Sequence, residues 1–498
     1  MLTLGDLFLA LTETKPSGEG GTAVGSVPDK VAALWQARIL RVAIDSRQVI
    51  PGSVFFALKG EALDGHQFIG EALARGAIAI VGNARARELG SGGSLTLIDV
   101  AGLQPDPSLH VAGVPLFVTD DSLAALQNFA AYWRRKFRQL QVIGVTGSVG
   151  KTSTKELIWA VLKQRYRTLK SEGNLNSETG LPLTLCGLNE THERAVLEMG
   201  MYAPGEIATL CDIAQPVIGV VTLVAPIHLE RLGTLENIAA AKAELVEALP
   251  AHGWAILNGD DARVRALRAK TRAQVMTFGL DGANDVWADQ IESRGLEGMA
   301  FALHHRDTIL HVRVPLLGQH SVHTALAASA VGLVQGLSWE EILNGLQDVS
   351  AQLRLIAVPG ENGITILDDT YNASPPSTLS ALNLLAEMSG RKIAVLGDMR
   401  ELGAYEQEGH SLVGIRASEI ADVILAVGPL GKLIGDAARE QGHAQVAFAS
   451  SNDQAVAQLR KLTQPGDTIL IKGSRGAQME EIVRALALDT ETHGGGAL

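Results

Sequence analysis

Three stretches of the chain carry three different hydrophobic patterns. Up to about Thr119, short apolar runs at Val42–Ile44, Val54–Ala57 and Ile78–Val81 read as strands, and Phe68–Arg75 reads as a helix between the last two. Pro16–Pro28 and Ser91–Pro115 are punctuated by Gly, Ser and Pro and read as loops. The second stretch opens with an amphipathic helix: Asp121-Ser122 can cap it, and Leu123, Leu126, Phe129, Ala130 and Trp133 follow at helical spacing. A fully apolar strand at Val142–Val145 and buried-strand candidates at Ala195–Glu198, Val217–Leu223, Trp254–Leu257 and Val275–Phe278 alternate with helices such as Lys151–Gln164 and Leu235–Leu249. That alternation predicts a mostly parallel sheet covered on both faces. Asp285–Pro315 alternates apolar and polar residues, as an antiparallel edge meander would. From about Leu353, strand runs at Thr365–Asp368, Lys392–Leu396, Asp422–Val427, Gln445–Ala449 and Thr468–Lys472 are each followed by a helical stretch, the pattern of a Rossmann-like unit. The expected class is α/β in three domains, 1–119, 120–352 and 353–498.

Length agrees, because 498 residues exceed what one hydrophobic core holds. The 46% hydrophobic content excludes disorder as the main state. A net charge of −12 argues against nonspecific binding to nucleic acid or anionic membranes, although local basic residues can still receive an anionic small molecule. The two cysteines, Cys186 and Cys211, lack metal-type spacing and read as reduced thiols. The first residues carry Asp6 and no basic region, so they do not read as a signal peptide, and no apolar run is long enough to span a bilayer. These features lead us to expect a cytoplasmic protein, monomeric by default, with a frayed tail around Gly494–Gly496.

The strongest chemical signal is Gly144-Val-Thr-Gly147-Ser148-Val149-Gly150-Lys151-Thr152, entered from an apolar strand and left by a helix. In that context glycines let backbone N–H groups turn toward phosphate oxygens, and the helix N-terminus adds positive partial charge. Lys151 can then reach the β- and γ-phosphates, and the Thr152 hydroxyl can hold Mg²⁺. Val145 stands where the strict motif has a small residue. Such a loop does not by itself separate a ligase from a kinase, a GTPase or a motor. Glu198 ends an apolar strand, so it reads either as a carboxylate facing the ligand crevice or as a solvated strand end. His228 is either structural or a site residue, and Lys242, amid alanines, is either a snorkelling surface lysine or functional.

Taken together these segments resemble the Mur ligases of bacterial peptidoglycan synthesis, over nearly the whole chain. Asp45-Ser46-Arg47, Pro51–Gly60 with Lys59, and Asp64-Gly65-His66 look like the family's UDP-sugar-binding domain. Thr146–Lys155, with Ser153, is similar to its phosphate loop, which tolerates a residue such as Val145. Gly173-Asn174-Leu-Asn176 and Thr179–Leu185 follow, and Asn258-Gly-Asp-Asp261 resembles the segment near adenine. Arg354, Asp368-Asp-Thr-Tyr371-Asn372-Ala-Ser-Pro375, Gly397–Gly403 and Lys472-Gly-Ser-Arg475 match the C-terminal domain. The resemblance implies two Mg²⁺, held by Thr152, Glu198, His228 and a carbamylated Lys242, with Lys151, Glu198, His228 and Lys242 as the catalytic set. It implies ATP contacts from the 147–153 loop, Asn258, Thr324, Arg354, Asp368 and Asn372. Substrate contacts would come from Ser46, Arg47, Lys59, Asp64, His66, Asn174, Asn176, Thr179, Lys472 and Arg475. One motif departs: Gly318-Gln-His320-Ser321-Val-His323-Thr324 lacks the family's two asparagines, at Ser321 and Thr324.

The implied reaction joins D-alanyl-D-alanine to UDP-N-acetylmuramoyl-tripeptide with ATP, through an acyl phosphate. A same-fold ligase adding an amino acid, or one extending folate, is the nearest rival. A nucleotide-driven switch would instead hydrolyse ATP with no amine acceptor.

Overall fold

A computed structural model describes residues 1–12, 32–60, 63–91, 95–100, 113–226, 229–348 and 356–488. The chain divides into two compact units. One holds Met1–Val142, Arg167–Met199 and Ala208–Pro216, and the other Ile143–Tyr166, Gly200–Ile207 and Val217–Leu498.

The first unit contains a parallel five-stranded sheet in the order Arg41–Ala43, Ser53–Phe56, Ala77–Gly82, Val114–Val118, Leu95–Asp99. The last two strands correct the loop expected over Ser91–Pro115. Leu95–Asp99 is an edge strand with Leu97 exposed, so its Leu-Thr-Leu-Ile-Asp run carries too few buried positions to stand out against the surrounding glycines. Phe55, Ala57, Ile80, Leu116 and Val118 point into one core on this sheet. The helix Ser122–Arg135 follows, capped as its sequence promises, with Asp121 accepting from the N–H groups of Leu123 and Ala124. Its Arg134 is buried and donates to the carbonyls of Ala214, Phe137 and Leu140, which satisfies the guanidinium. Strand Thr168–Lys170 pairs in parallel with Arg194–Glu198.

The strand Gln141–Thr146, which enters the second unit at Ile143, begins an order that continues Ile218–Val221, Trp254–Asn258, Gln274–Gly279, Val286–Ser293, Met299–His305, Thr308–Val314. The first four are parallel neighbours, and the last three form the expected antiparallel meander. A further six-stranded sheet runs Ile356–Pro359, Thr365–Asp368, Thr468–Lys472, Lys392–Leu396, Val423–Val427, Val446–Ala449, parallel except at its first pair. Its strands read as continuous apolar runs because both faces are covered. Ile393 and Val395 enter one core, while Ala394 and Leu396 enter the other.

Parallel order decides where the motifs emerge. Strands ending at Thr146, Val221 and Asn258 are successive neighbours, so the segments after them leave the same edge. Asp368, Lys472 and Leu396 likewise end three successive parallel strands, which brings together segments about a hundred residues apart. Those edges are where ligands bind in open α/β sheets.

Candidate active site

The phosphate-type loop is built by its backbone. Gly147 has φ +148°, and a Cβ there would lie 1.9 Å from the Thr222 hydroxyl oxygen. Gly150, at the N-cap of the helix Lys151–Leu162, has φ +85°. Both positions therefore need glycine, the first also for lack of space. The loop is pinned to the chain beyond Ile218–Val221. Ser148 N–H donates to the Leu223 carbonyl at 2.6 Å, and its hydroxyl both donates to Ala225 O and accepts from Ala225 N–H. Thr222 Oγ1 donates to Val149 O at 2.6 Å. Asp261 accepts from Val224 N–H and Asn258 donates to Thr222 O, so the segment after Trp254–Asn258 braces the same loop. Lys151 Nζ folds over the turn and donates to Gly147 O at 2.9 Å and to Ser148 O at 3.4 Å. Its ammonium thus caps the mouth of the loop, where an anion would accept from it. Thr152 is buried on the first helical turn and Ser153 half-buried beside it.

Two of the open alternatives close. Glu198 is 1% exposed, which removes the solvated strand end; it accepts from Asn176 Nδ2 at 2.8 Å. Lys242 is 2% exposed, which removes the snorkelling surface lysine. Burial, and then the charge of Lys151, push the Lys242 amine well below the usual lysine range. A neutral buried amine is the form that reacts with CO₂, and the carbamate it gives would be an oxygen ligand for a hard cation. That chemistry, like the Thr152 hydroxyl of the same unit, suits a hard cation such as magnesium. His228 and Arg354 lie outside the described residues. Among the described residues, no group of three His, Cys, Asp or Glu is arranged as a metal site.

Other residues of the expected site have partners that narrow what they can do. Asn258 is buried with both ends of its amide engaged, to Thr222 O and from Asp260 N–H. Ser321 donates to Gly318 O at 2.7 Å, and Thr324 is buried in the helix His320–Val334. Asp368 folds onto Thr370, and Asn372 is exposed. Lys472 is buried and donates to Asp369 and to Asn372 O, so it fastens the 368–372 turn. In the first unit, Ser46 is buried against Glu71, Arg47 pairs with Asp45 and Lys59 is exposed. Asp64 binds His66 and Arg85; the His66 hydrogen bonds come first in holding its carboxyl at about 2. Asn174 is exposed, and Thr179 is half-buried beside Ser177.

Several contributors were not among the expected site residues, although most lie in the motif segments. Thr222 and Asp261 act through the loop they brace. His323 pairs with Asp260 at 2.7 Å. Burial opposes the Asp260 charge, but His323 and the N–H groups of Leu280 and Asp281 outweigh it and bring the carboxyl down to about 2. Lys155 and Glu156 form a buried ion pair on the helix behind the loop.

A glycine-built phosphate loop at the sheet edge, with a lysine and a threonine at the start of the helix behind it, suits a nucleotide-using enzyme, and the chain belongs to the Mur ligase family. Residues 38–134 match the model described as Mur ligase family, catalytic domain; 145–332 the Mur ligase middle domain; and 353–475 the Mur ligase, glutamate ligase domain. Within the family, the chain is 36% identical over 460 residues to the UDP-N-acetylmuramoyl-tripeptide--D-alanyl-D-alanine ligase of Synechocystis, covering 91% of this chain and 93% of that one. The protein of the same name from Escherichia coli is 36% identical, with 89% and 93% covered. A crystal structure of MurF from Acinetobacter baumannii superposes with a TM-score of 0.78 at 30% identity, covering 97% of this chain and 98% of that one. MurF from Thermotoga maritima in complex with ADP gives 0.73 at 28% identity, with 90% and 97% covered. The three-domain α/β architecture is that of these proteins.

Proposed function

We infer that the chain is an ATP-dependent ligase that joins D-alanyl-D-alanine to UDP-N-acetylmuramoyl-tripeptide, giving the pentapeptide precursor of peptidoglycan, ADP and phosphate. The observation that carries this is the loop Gly147–Thr152, which has no room for a side chain at Gly147 and lies in a chain matching such ligases nearly end to end.

A carboxylate is a poor acyl donor because its leaving group would be oxide. Attack of the tripeptide carboxylate on the γ-phosphate of ATP gives an acyl phosphate, and the amine of the dipeptide then expels phosphate. Phosphoryl transfer needs orientation and charge neutralisation above all. Lys151 supplies a cation at the mouth of the loop, and the backbone of Val149 to Thr152 with the helix start orients the phosphates. Thr152, Glu198, His228 and a carbamylated Lys242 are the residues that would hold two magnesium ions, which supply further neutralising charge. The low basicity of Lys242 supports the carbamate. A carbamate ¹³C signal from enzyme in labelled bicarbonate, and recovery of activity on adding bicarbonate to a CO₂-depleted preparation, test that assignment; absence of both removes it.

We assign ATP contacts to Gly147–Ser153, Asn258, Thr324, Arg354, Asp368 and Asn372, and peptide-substrate contacts to Ser46, Arg47, Lys59, Asp64, His66, Asn174, Asn176, Thr179, Lys472 and Arg475. The domains run 1–119, 120–352 and 353–498. We place the enzyme in the cytoplasm as a monomer; in support, no described helix is long and apolar enough to cross a membrane. The decisive assay is incorporation of radiolabelled D-alanyl-D-alanine with the lysine-containing and the diaminopimelate-containing tripeptide in turn. ADP release must depend on both peptide substrates. Equal release without them refutes the function.

A further inference from the structure

The loop Gly397–Gly403 is held more tightly than a connection requires. Asp398 Oδ1 accepts from the N–H groups of Leu430 and Gly431 at 2.9 Å each. The buried His410 Nε2 accepts from Met399 N–H, and Ser474 Oγ accepts from Arg400 N–H. Glu401 comes next and has φ +66°, a conformation costly for any residue with a side chain. Two residues on, Gly403 touches the backbone of Glu230: a Cβ there would lie 2.8 Å from its Cα. The fastened loop thus delivers an exposed, strained glutamate to the helix Leu229–Leu232.

Around that point lie groups from separate parts of the chain. Arg231, on the helix Leu229–Leu232, stacks over the Tyr202 ring at 5.0 Å. Arg475 lies over Tyr371 at 5.8 Å. Burial, then Glu401, raise the Tyr202 phenol, with Arg231 acting against them and Tyr371 with them, so all four groups share one field. Tyr202 follows Glu198 by four residues and Arg231 follows His228 by three, so both leave the segments assigned to the reacting end. Glu206 also faces Tyr202, accepting from its N–H, and the Glu401 carboxylate with the stacked Arg231 cation beside aromatic faces complements a small zwitterion with short apolar side chains. They do not suit the polyanionic nucleotide-linked peptide, which Glu401 would repel.

We propose that Glu401 and Arg231, grouped at the Tyr202 ring, bind the acceptor dipeptide, Glu401 taking its ammonium and Arg231 its carboxylate. This rests on the function inferred above. Steady-state kinetics with ATP, tripeptide substrate and D-alanyl-D-alanine on wild type, Glu401→Gln and Arg231→Met provide the test, with the C-terminal amide of the dipeptide as a second acceptor. Losing one charged hydrogen bond should raise the dipeptide KM by about ten- to a hundredfold, with the other two KM values within about threefold. Wild type should prefer the free dipeptide over its amide, and Arg231→Met should lose that preference while Glu401→Gln keeps it. An unchanged dipeptide KM, an amide penalty that survives in Arg231→Met, or a joint rise of all three KM values overturns the proposal; the last would mark a purely structural contact. If wild type incorporates no dipeptide at all, the inferred function itself fails. Incorporation with unaltered KM in both variants sinks only the acceptor site.

Discussion

Gly147→Ala is the sharpest probe of the loop. The backbone at this residue has φ +148°, and the new Cβ would stand 1.9 Å from Thr222 Oγ1. Holding a side chain in that conformation costs about 1–3 kcal/mol. Thr222 would also have to swing away from Val149 O, which it reaches at 2.6 Å, for about 1 kcal/mol more. The free variant relieves both by letting the loop relax, and nucleotide binding must then restore it. The expected loss is about 2–4 kcal/mol of binding, or roughly 30- to 1,000-fold in Kd. Titration calorimetry with ADP and magnesium measures it, and an unchanged far-UV circular dichroism spectrum shows that the sheets are intact. The steric part is isolated by Thr222→Ala, which removes the colliding oxygen. Gly147→Ala/Thr222→Ala should lose less than the sum of the single changes, by about 1 kcal/mol or more. Strict additivity, or an ADP affinity for Gly147→Ala within about threefold of wild type, refutes the reasoning.

Lys151→Ala removes the ammonium at the loop mouth and should lower ligation by about a hundredfold or more with little change in thermal midpoint; near wild-type turnover would show the loop is not the phosphate site. Burial, and then the charge of Lys151, hold the folded Lys242 amine well below the ordinary 10.5, so in the interval between its folded and unfolded values unfolding takes up a proton. In CO₂-free buffer without nucleotide, stability should therefore rise as pH climbs toward 10. Lys242→Met should flatten that slope and raise the urea midpoint at pH 7 while abolishing ligation. Asp260, brought down to about 2, stabilises the fold above the ordinary carboxylate value of 3.8, and that contribution fades as pH falls toward 2. His323→Ala should move the Asp260 carboxyl titration upward by ¹³C NMR; no movement would break the pairing.

Period and punctuation made much of the fold legible. Thr365–Asp368, Lys392–Leu396 and Thr468–Lys472 are strands with the bounds their apolar runs suggest, because a strand buried on both faces is apolar at each position between its polar ends. The Asp121 cap and the meander from 286 to 314 were equally plain. Leu95–Asp99 and Val114–Val118 were not, since one lies at a sheet edge and both adjoin glycine- and proline-rich sequence.

At the site, sequence alone determined the chemistry of the loop: glycines where φ must be positive, a lysine and a threonine at the start of a helix. It could not choose between a surface and a buried Lys242, or between a solvated and a buried Glu198. Those choices depend on what packs over a side chain, and no local pattern records that. Only the tertiary structure decided that Thr222 closes the space beside Gly147, and that Glu401 is carried on a pinned loop to Arg231 and Tyr202. The first follows from parallel strand order, which brings distant chain segments out at one edge of a sheet; the second brings the segment after Lys392–Leu396 to segments that leave a different sheet.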